Sequence, residues 1–190
     1  MMKRKDFVVL NSRDKKEILE LISNRFGCDT KELKGKLEDL AMIRTNTRIY
    51  VVSRNISILD LKDKKNRIER FGVYFATIEE KLNKESRIRL SIEGSQLIIP
   101  LVKKNIIFLN KEQTTSWFLG EDFFVDEEQV KAFESTPGFV IVCYSNMSLT
   151  HTLGCGLLKL QNLETQSKNK NKRYIIKNYV PKERRVRVII

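Results

Sequence analysis

Gly138-Phe139-Val140-Ile141-Val142-Cys143-Tyr144 and Leu153-Gly154-Cys155-Gly156-Leu157-Leu158 read as two paired strands. The first is a run of β-branched and aromatic residues, the composition that fits a pleated, buried surface. Upstream, Asn105-Ile106-Ile107-Phe108-Leu109 is a further strand. Asn110 with Gln113 opens a short helix that ends at Gly120, and Asp126 to Phe133 reads as another. Downstream, Thr165-Gln166-Ser167-Lys168-Asn169-Lys170-Asn171-Lys172 has no apolar residue to bury and reads as a mobile loop. Tyr174-Ile175-Ile176 and Arg185-Val186-Arg187-Val188-Ile189-Ile190 close the chain as strands. A strand-dominated unit over 104–190 with short helices predicts a small β-barrel.

The first half, 1–103, mixes helix and strand. Phe7 to Leu10 reads as a strand, and Ser12 as the cap of a helix with Asp14 and Glu17 in its first turns. Ile18, Leu21, Ile22 and Phe26 share one face of that helix, and Gly27 stops it. Asp29 with Glu32 resembles a capping box, followed by the apolar stripe Leu33, Leu37, Leu40 and Ala41. From residue 48 the period shortens to two. Ile49 to Val52 and Val73 to Ile78 are strand-like, and Arg87 to Glu93 alternates strictly, with Ile88, Leu90 and Ile92 inward and Arg87 and Arg89 outward. Asn83-Lys84-Glu85-Ser86 is the expected hairpin connection. The fold class expected is α+β, in two domains.

Composition narrows the function. Lys plus Arg number 36 against 24 Asp plus Glu, a net charge of +12 over 190 residues. Such an excess repels itself on folding, so a polyanionic partner is its natural counterpart. The apolar runs, such as Leu97 to Val102, fall far short of the roughly 20 residues a spanning helix needs, which predicts no membrane segment and a cytoplasmic location. Phe7 to Leu10 is too short for a signal-peptide core. Three cysteines and one histidine point away from a metal site or a disulfide framework. There is no G-x-G-x-x-G, Walker A or H-E-x-x-H motif, and no Cys follows a Pro, so no catalytic residue, cofactor or metal is expected. Cys143 and Cys155 read as small hydrophobes, with His151 across a turn from Cys155.

The order of these motifs resembles a known pair of domains. Leu119-Gly120-Glu121-Asp122, then the Gly138 strand, then Leu153-Gly154-Cys155-Gly156, resembles a PUA domain, a pseudo-β-barrel RNA-binding module. With Ile49 to Ser53, Arg70 to Phe75, Arg87 to Ile92 and Trp117 to Gly120 in series, nearly the whole chain is similar to the Nip-seven family of ribosome-biogenesis proteins, which place an α/β pre-PUA domain before a PUA domain. The stretch Lys177 to Arg185 is closer to the PUA-like tails of RNA cytosine methyltransferases of the Nol/Nop/Sun group, which implies an archaeal-type relative or a stand-alone piece allied to such an enzyme. The resemblance implies a non-catalytic RNA-binding protein of ribosome biogenesis or rRNA processing, nucleolar in a eukaryotic source. It implies rRNA or its precursors as ligand, and ribosome-assembly, exosome or methyltransferase partners on the first domain. The other readings are an RNA-modifying enzyme or its specificity subunit, and a protein-interaction adaptor whose charge serves solubility.

The C-terminal basic segment carries the expected RNA contacts: Lys168, Lys170, Lys172, Arg173, Lys177, Lys182, Arg184, Arg185 and Arg187, with Glu183 the one acid among them. Each cation that neutralises a phosphate releases a counterion. Tyr174 and Tyr179 lie among them and can stack on unpaired bases. Gly120 joins the set because the matching glycine region of PUA domains lies by the RNA backbone. Arg67 and Arg70 with Lys62, Lys64 and Lys65, interrupted by Asp63 and Glu69, read as a solvated helix face, and Arg87 and Arg89 as an outward arginine pair.

Overall fold

The computed structural model describes residues 7–54, 72–80, 86–146, 149–162 and 172–179. The chain divides into two compact units, Met1–Leu101 and Val102–Ile190. It is an α+β protein: a mixed α/β unit on an antiparallel sheet, then a mixed sheet curled into a half-barrel.

In the first unit, strand β1 (Val8–Val9) leads into helix α1 (Ser12–Phe26). The cap is Asn11 rather than Ser12. Asn11 is extended and its side-chain oxygen accepts from the Asp14 N–H at 2.9 Å, which leaves Ser12 as the first helical residue. Ile18, Leu19, Ile22 and Phe26 are buried along one face, and Gly27 ends the helix at φ 69°. Asp29 caps α2 (Thr30–Lys36) by accepting from Lys31 and Glu32 N–H. Leu33 and Leu37 are buried as expected, but the stripe does not continue as helix. The chain turns at Leu37, and Leu40–Thr45 becomes strand β2. Leu40 and Ala41 belong to its ladder with β3 (Arg48–Ser53), so the two-residue period begins at residue 40 and not 48.

β3 pairs with β4 (Val73–Glu80), and β4 with β5 (Ser86–Leu90), giving the order β1-β2-β3-β4-β5, antiparallel throughout. Residues 81–85 of the expected hairpin connection lie outside the described residues. Ile49, Val51, Ala76, Ile78, Ile88 and Leu90 fall on one face and are buried. The alternation fails at Ile92. β5 stops at Leu90 because Ser91 caps α3 (Ile92–Ile98), its hydroxyl accepting from Gly94 N–H at 2.9 Å. Gly94 has no room for a side chain: a Cβ there would lie 2.1 Å from the carbonyl oxygen of Phe75.

In the second unit β6 (Ile106–Phe108) runs parallel to β8 (Gly138–Asn146), and every other ladder is antiparallel, in the order β6-β8-β9-β10-β7. Between β6 and β8 come α4 (Lys111–Leu119), β7 (Phe123–Val125) and α5 (Glu127–Lys131). Asn110 and Gln113 form the expected capping box on α4, and Gly120 ends it. The helix expected over 126–133 is shorter, with Asp126 outside it as the cap. The Gln113 and Gln129 side chains bond each other and the carbonyls of Phe124 and Phe108, tying the two helices to both edge strands.

β9 (Leu149–Asn162) pairs along its length with β8 and with β10 (Lys172–Asn178). Val142 pairs with Gly154 and Cys143 with Thr152, so Leu153 is an extra residue, with Gly154 at φ 120°. A bulge of this kind bends a strand and increases its twist. The Leu153 carbonyl accepts from the indole N–H of Trp117 at 3.2 Å, which ties α4 to the bend. Lys172, expected in a loop, opens β10; the rest of the loop and the strand expected over 185–190 lie outside the described residues.

Candidate nucleic-acid interface

Parity along β10 sorts the expected contacts onto two faces. Ile176 is buried and pairs with buried Leu158 and Phe123, so the even residues Tyr174 and Ile176 point inward. Arg173, Ile175 and Lys177 point outward. Tyr174 therefore does not share the face of the cations it neighbours in sequence, because adjacent strand residues alternate.

The outward face is completed by two neighbouring strands. Ile175 pairs with Lys159 on one side and Phe124 on the other, Arg173 with Gln161, and Lys177 with Leu157. Phe124 is 51% exposed, and the Arg173 guanidinium lies 5.8 Å from its ring centroid. Exposed Lys159 and Arg173 have no carboxylate partner among the described residues. Just past the strand, Tyr179 sets its ring edge-on to buried Phe139 at 5.8 Å and stays 39% exposed.

At one end of the strand the cation is compensated. Asp122 accepts from the Asn178 N–H at 3.0 Å and pairs with Lys177 at 3.5 Å. Asn178 in turn donates its side-chain amide to the Trp117 carbonyl at 2.7 Å. These bonds bring the Gly120 turn against the end of β10, so the structure does unite Gly120 and Lys177. Gly120 itself sits at φ 82°, with its N–H bonded to Trp117 and the Glu121 N–H to Ser116. A left-handed helix terminus needs glycine on its own account. The exposed carboxylates of Glu121 and Asp122 make this the acidic end of the face.

Of the other expected contacts, Lys168, Lys170, Lys182, Arg184, Arg185 and Arg187 lie outside the described residues, and Lys172 is placed only by its backbone at the start of β10. Lys62, Lys64, Lys65, Arg67 and Arg70 also lie outside them. Phe124, Lys159 and Gln161 are additions. Phe123-Phe124-Val125 carried the signal, since neighbouring residues of a strand face opposite sides and only one Phe can be buried. Lys159 and Gln161 alternate with Leu158 and Leu160 in the same way.

The cysteines sit apart from this face. Cys28, Cys143 and Cys155 are buried and do not form disulfides with one another. Burial, with Cys155 nearby, pushes the Cys143 thiol up to about 12, so it stays protonated at neutral pH. His151 is exposed while Cys155 is buried. Among the described residues no cluster of three or more His, Cys, Asp or Glu side chains is placed to hold a metal ion, and no helix is long and apolar enough to cross a membrane.

No family model and no curated protein matches the chain. What the chain can do therefore rests on its own residues: a sheet face with an exposed aromatic ring, a guanidinium over it and further cations beside it.

Proposed function

We propose that the protein is a non-catalytic RNA-binding protein of ribosome biogenesis or rRNA processing. In this reading the second unit is a PUA-type pseudobarrel, and the first is a pre-PUA domain that meets protein partners. One observation carries it. Arg173, Lys177 and Lys159 share a face with the exposed ring of Phe124, which joins phosphate-neutralising charge to a surface on which a base can stack. The net charge of +12 and the cations at 182, 184, 185 and 187 supply further long-range attraction. The order of a five-stranded antiparallel sheet before a curled mixed sheet is in keeping with the Nip-seven-like organisation.

Phe124→Ala tests the stacking role. Base–aromatic stacking contributes about 1–3 kcal/mol per base, so the variant should bind a fluorescent single-stranded RNA roughly 5- to 150-fold more weakly at fixed salt. Its salt dependence should not change, because no charge is lost. Unaltered affinity would remove Phe124 from the contact.

A further inference from the structure

The proposed contacts leave the outward arginines of β5 unused, and strand register places them in a larger arrangement. Directly paired residues of an antiparallel ladder share a face. One row crosses four strands as Thr45, Arg48, Thr77 and Arg89. Tyr50 and Tyr74, themselves paired, flank it on one side, and Glu79 with Arg87 on the other.

The side chains are already in working contact. The Tyr50 and Tyr74 rings lie 5.7 Å apart, and the Arg48 guanidinium is 5.9 Å from the Tyr74 centroid. The Tyr74 hydroxyl is hydrogen-bonded to that of Thr77, which fixes the ring. Arg89 donates to Glu79 at 3.0 Å and is largely covered. Arg48 and Arg87 are exposed, with no carboxylate partner among the described residues. The face thus offers the exposed guanidinium groups of Arg48 and Arg87, the latter opposite Glu79 in the ladder, beside two half-buried tyrosines held by paired strands. Guanidinium groups bind phosphate oxygens in a fork geometry and stack on planar rings. Aromatic rings on a sheet, flanked by cations, are the arrangement on which unpaired bases stack.

Thr45 and Thr77 are buried beneath the row of these longer side chains, and we propose that the accessible ones form a second RNA-contact surface, the exposed Arg48 and Arg87 neutralising phosphates while the half-buried Tyr50 and Tyr74 receive unpaired bases. The proposal rests on the RNA-binding reading of the protein, and adds to it a site on the unit assigned above to protein partners.

The test uses the full chain and a fluorescent single-stranded RNA of mixed sequence, titrated at several salt concentrations. The paired variant Arg48→Gln and Arg87→Gln removes two phosphate contacts. At about 0.7 ions released per contact on single strands, its affinity should fall about 25-fold at roughly 0.1 M salt, and the log–log salt slope should flatten by about 1.4. Tyr50→Leu, which keeps an apolar side chain, should weaken binding by about fivefold or more without changing the slope. Thermal melting of each variant checks that the fold is kept. Wild-type affinity in both variants, with the wild-type chain binding RNA, would overturn this surface alone and leave the proposed function standing. Failure of the wild-type chain to bind at low salt would overturn both.

Discussion

Trp117→Ala should cost the second unit about 3–5 kcal/mol, the range for removing a large buried aromatic side chain. The indole is 1% exposed, meets Phe123 edge-on at 6.3 Å and donates to the Leu153 carbonyl across the β9 bulge. Its loss would leave a cavity where α4, β7 and β9 converge, and would free the bend on which the curl depends. In a unit of this size a kcal/mol moves the melting temperature by about 4–8 °C, so the second-unit transition should fall by roughly 15 °C or more. Calorimetry reads this without relying on the fluorescence of the chain's one tryptophan. Gly156→Ala is the companion that keeps the indole. Its new methyl would lie 2.5 Å from Ile176 and 3.3 Å from the Trp117 ring, an overpacking that costs about 1–3 kcal/mol. A Trp117→Ala protein melting within a degree or two of wild type would show that the core is not organised around this ring.

The second large effect concerns binding. Lys159→Glu, Arg173→Glu and Lys177→Glu together remove three cations from the outer face of β9 and β10, all on exposed or half-exposed side chains. At roughly 0.1 M salt lost phosphate contacts, each worth up to about 0.7 log units on single strands, weaken RNA binding by about 25-fold for Lys159 and Arg173 and by up to about 100-fold with Lys177 included. Reversing the charge adds repulsion to that loss. Of the three, Lys177→Glu should contribute least, because Asp122 already compensates Lys177. Fluorescence anisotropy with one labelled RNA measures the triple and single variants side by side. Binding within threefold of wild type in the triple variant would place the RNA elsewhere on the chain.

Much of the fold was legible where a local signal ends an element. Gly27 and Gly120 stop their helices because each must adopt a left-handed backbone, and the Asn110–Gln113 box starts α4. The β8–β9 pairing follows from apolar runs that have nowhere else to be buried. Helix and strand periods coincide over short stretches, and there the reading failed. Leu33, Leu37, Leu40 and Ala41 fit a helical stripe, yet the ladder with β3 claims the last two. Phe123–Val125 is three residues long and becomes a strand only because β10 returns to pair with it. The site was legible to the same degree. Arg173, Lys177 and Tyr179 are visible as a basic, aromatic segment. Tyr174 lies on the inner face, because the alternation of the strand separates it from the cations that flank it in sequence. Phe124 and Lys159 come from two other stretches of sequence, and only register brings them beside Ile175.

The most direct measurement is the affinity of the purified protein for a fluorescent RNA across a salt series, with the triple variant in parallel. RNA binding through the β7–β9–β10 face predicts a log–log slope for wild type steeper than about −2, and one flatter by about 2 in the variant. No binding at low salt, or equal slopes for the two proteins, would contradict it.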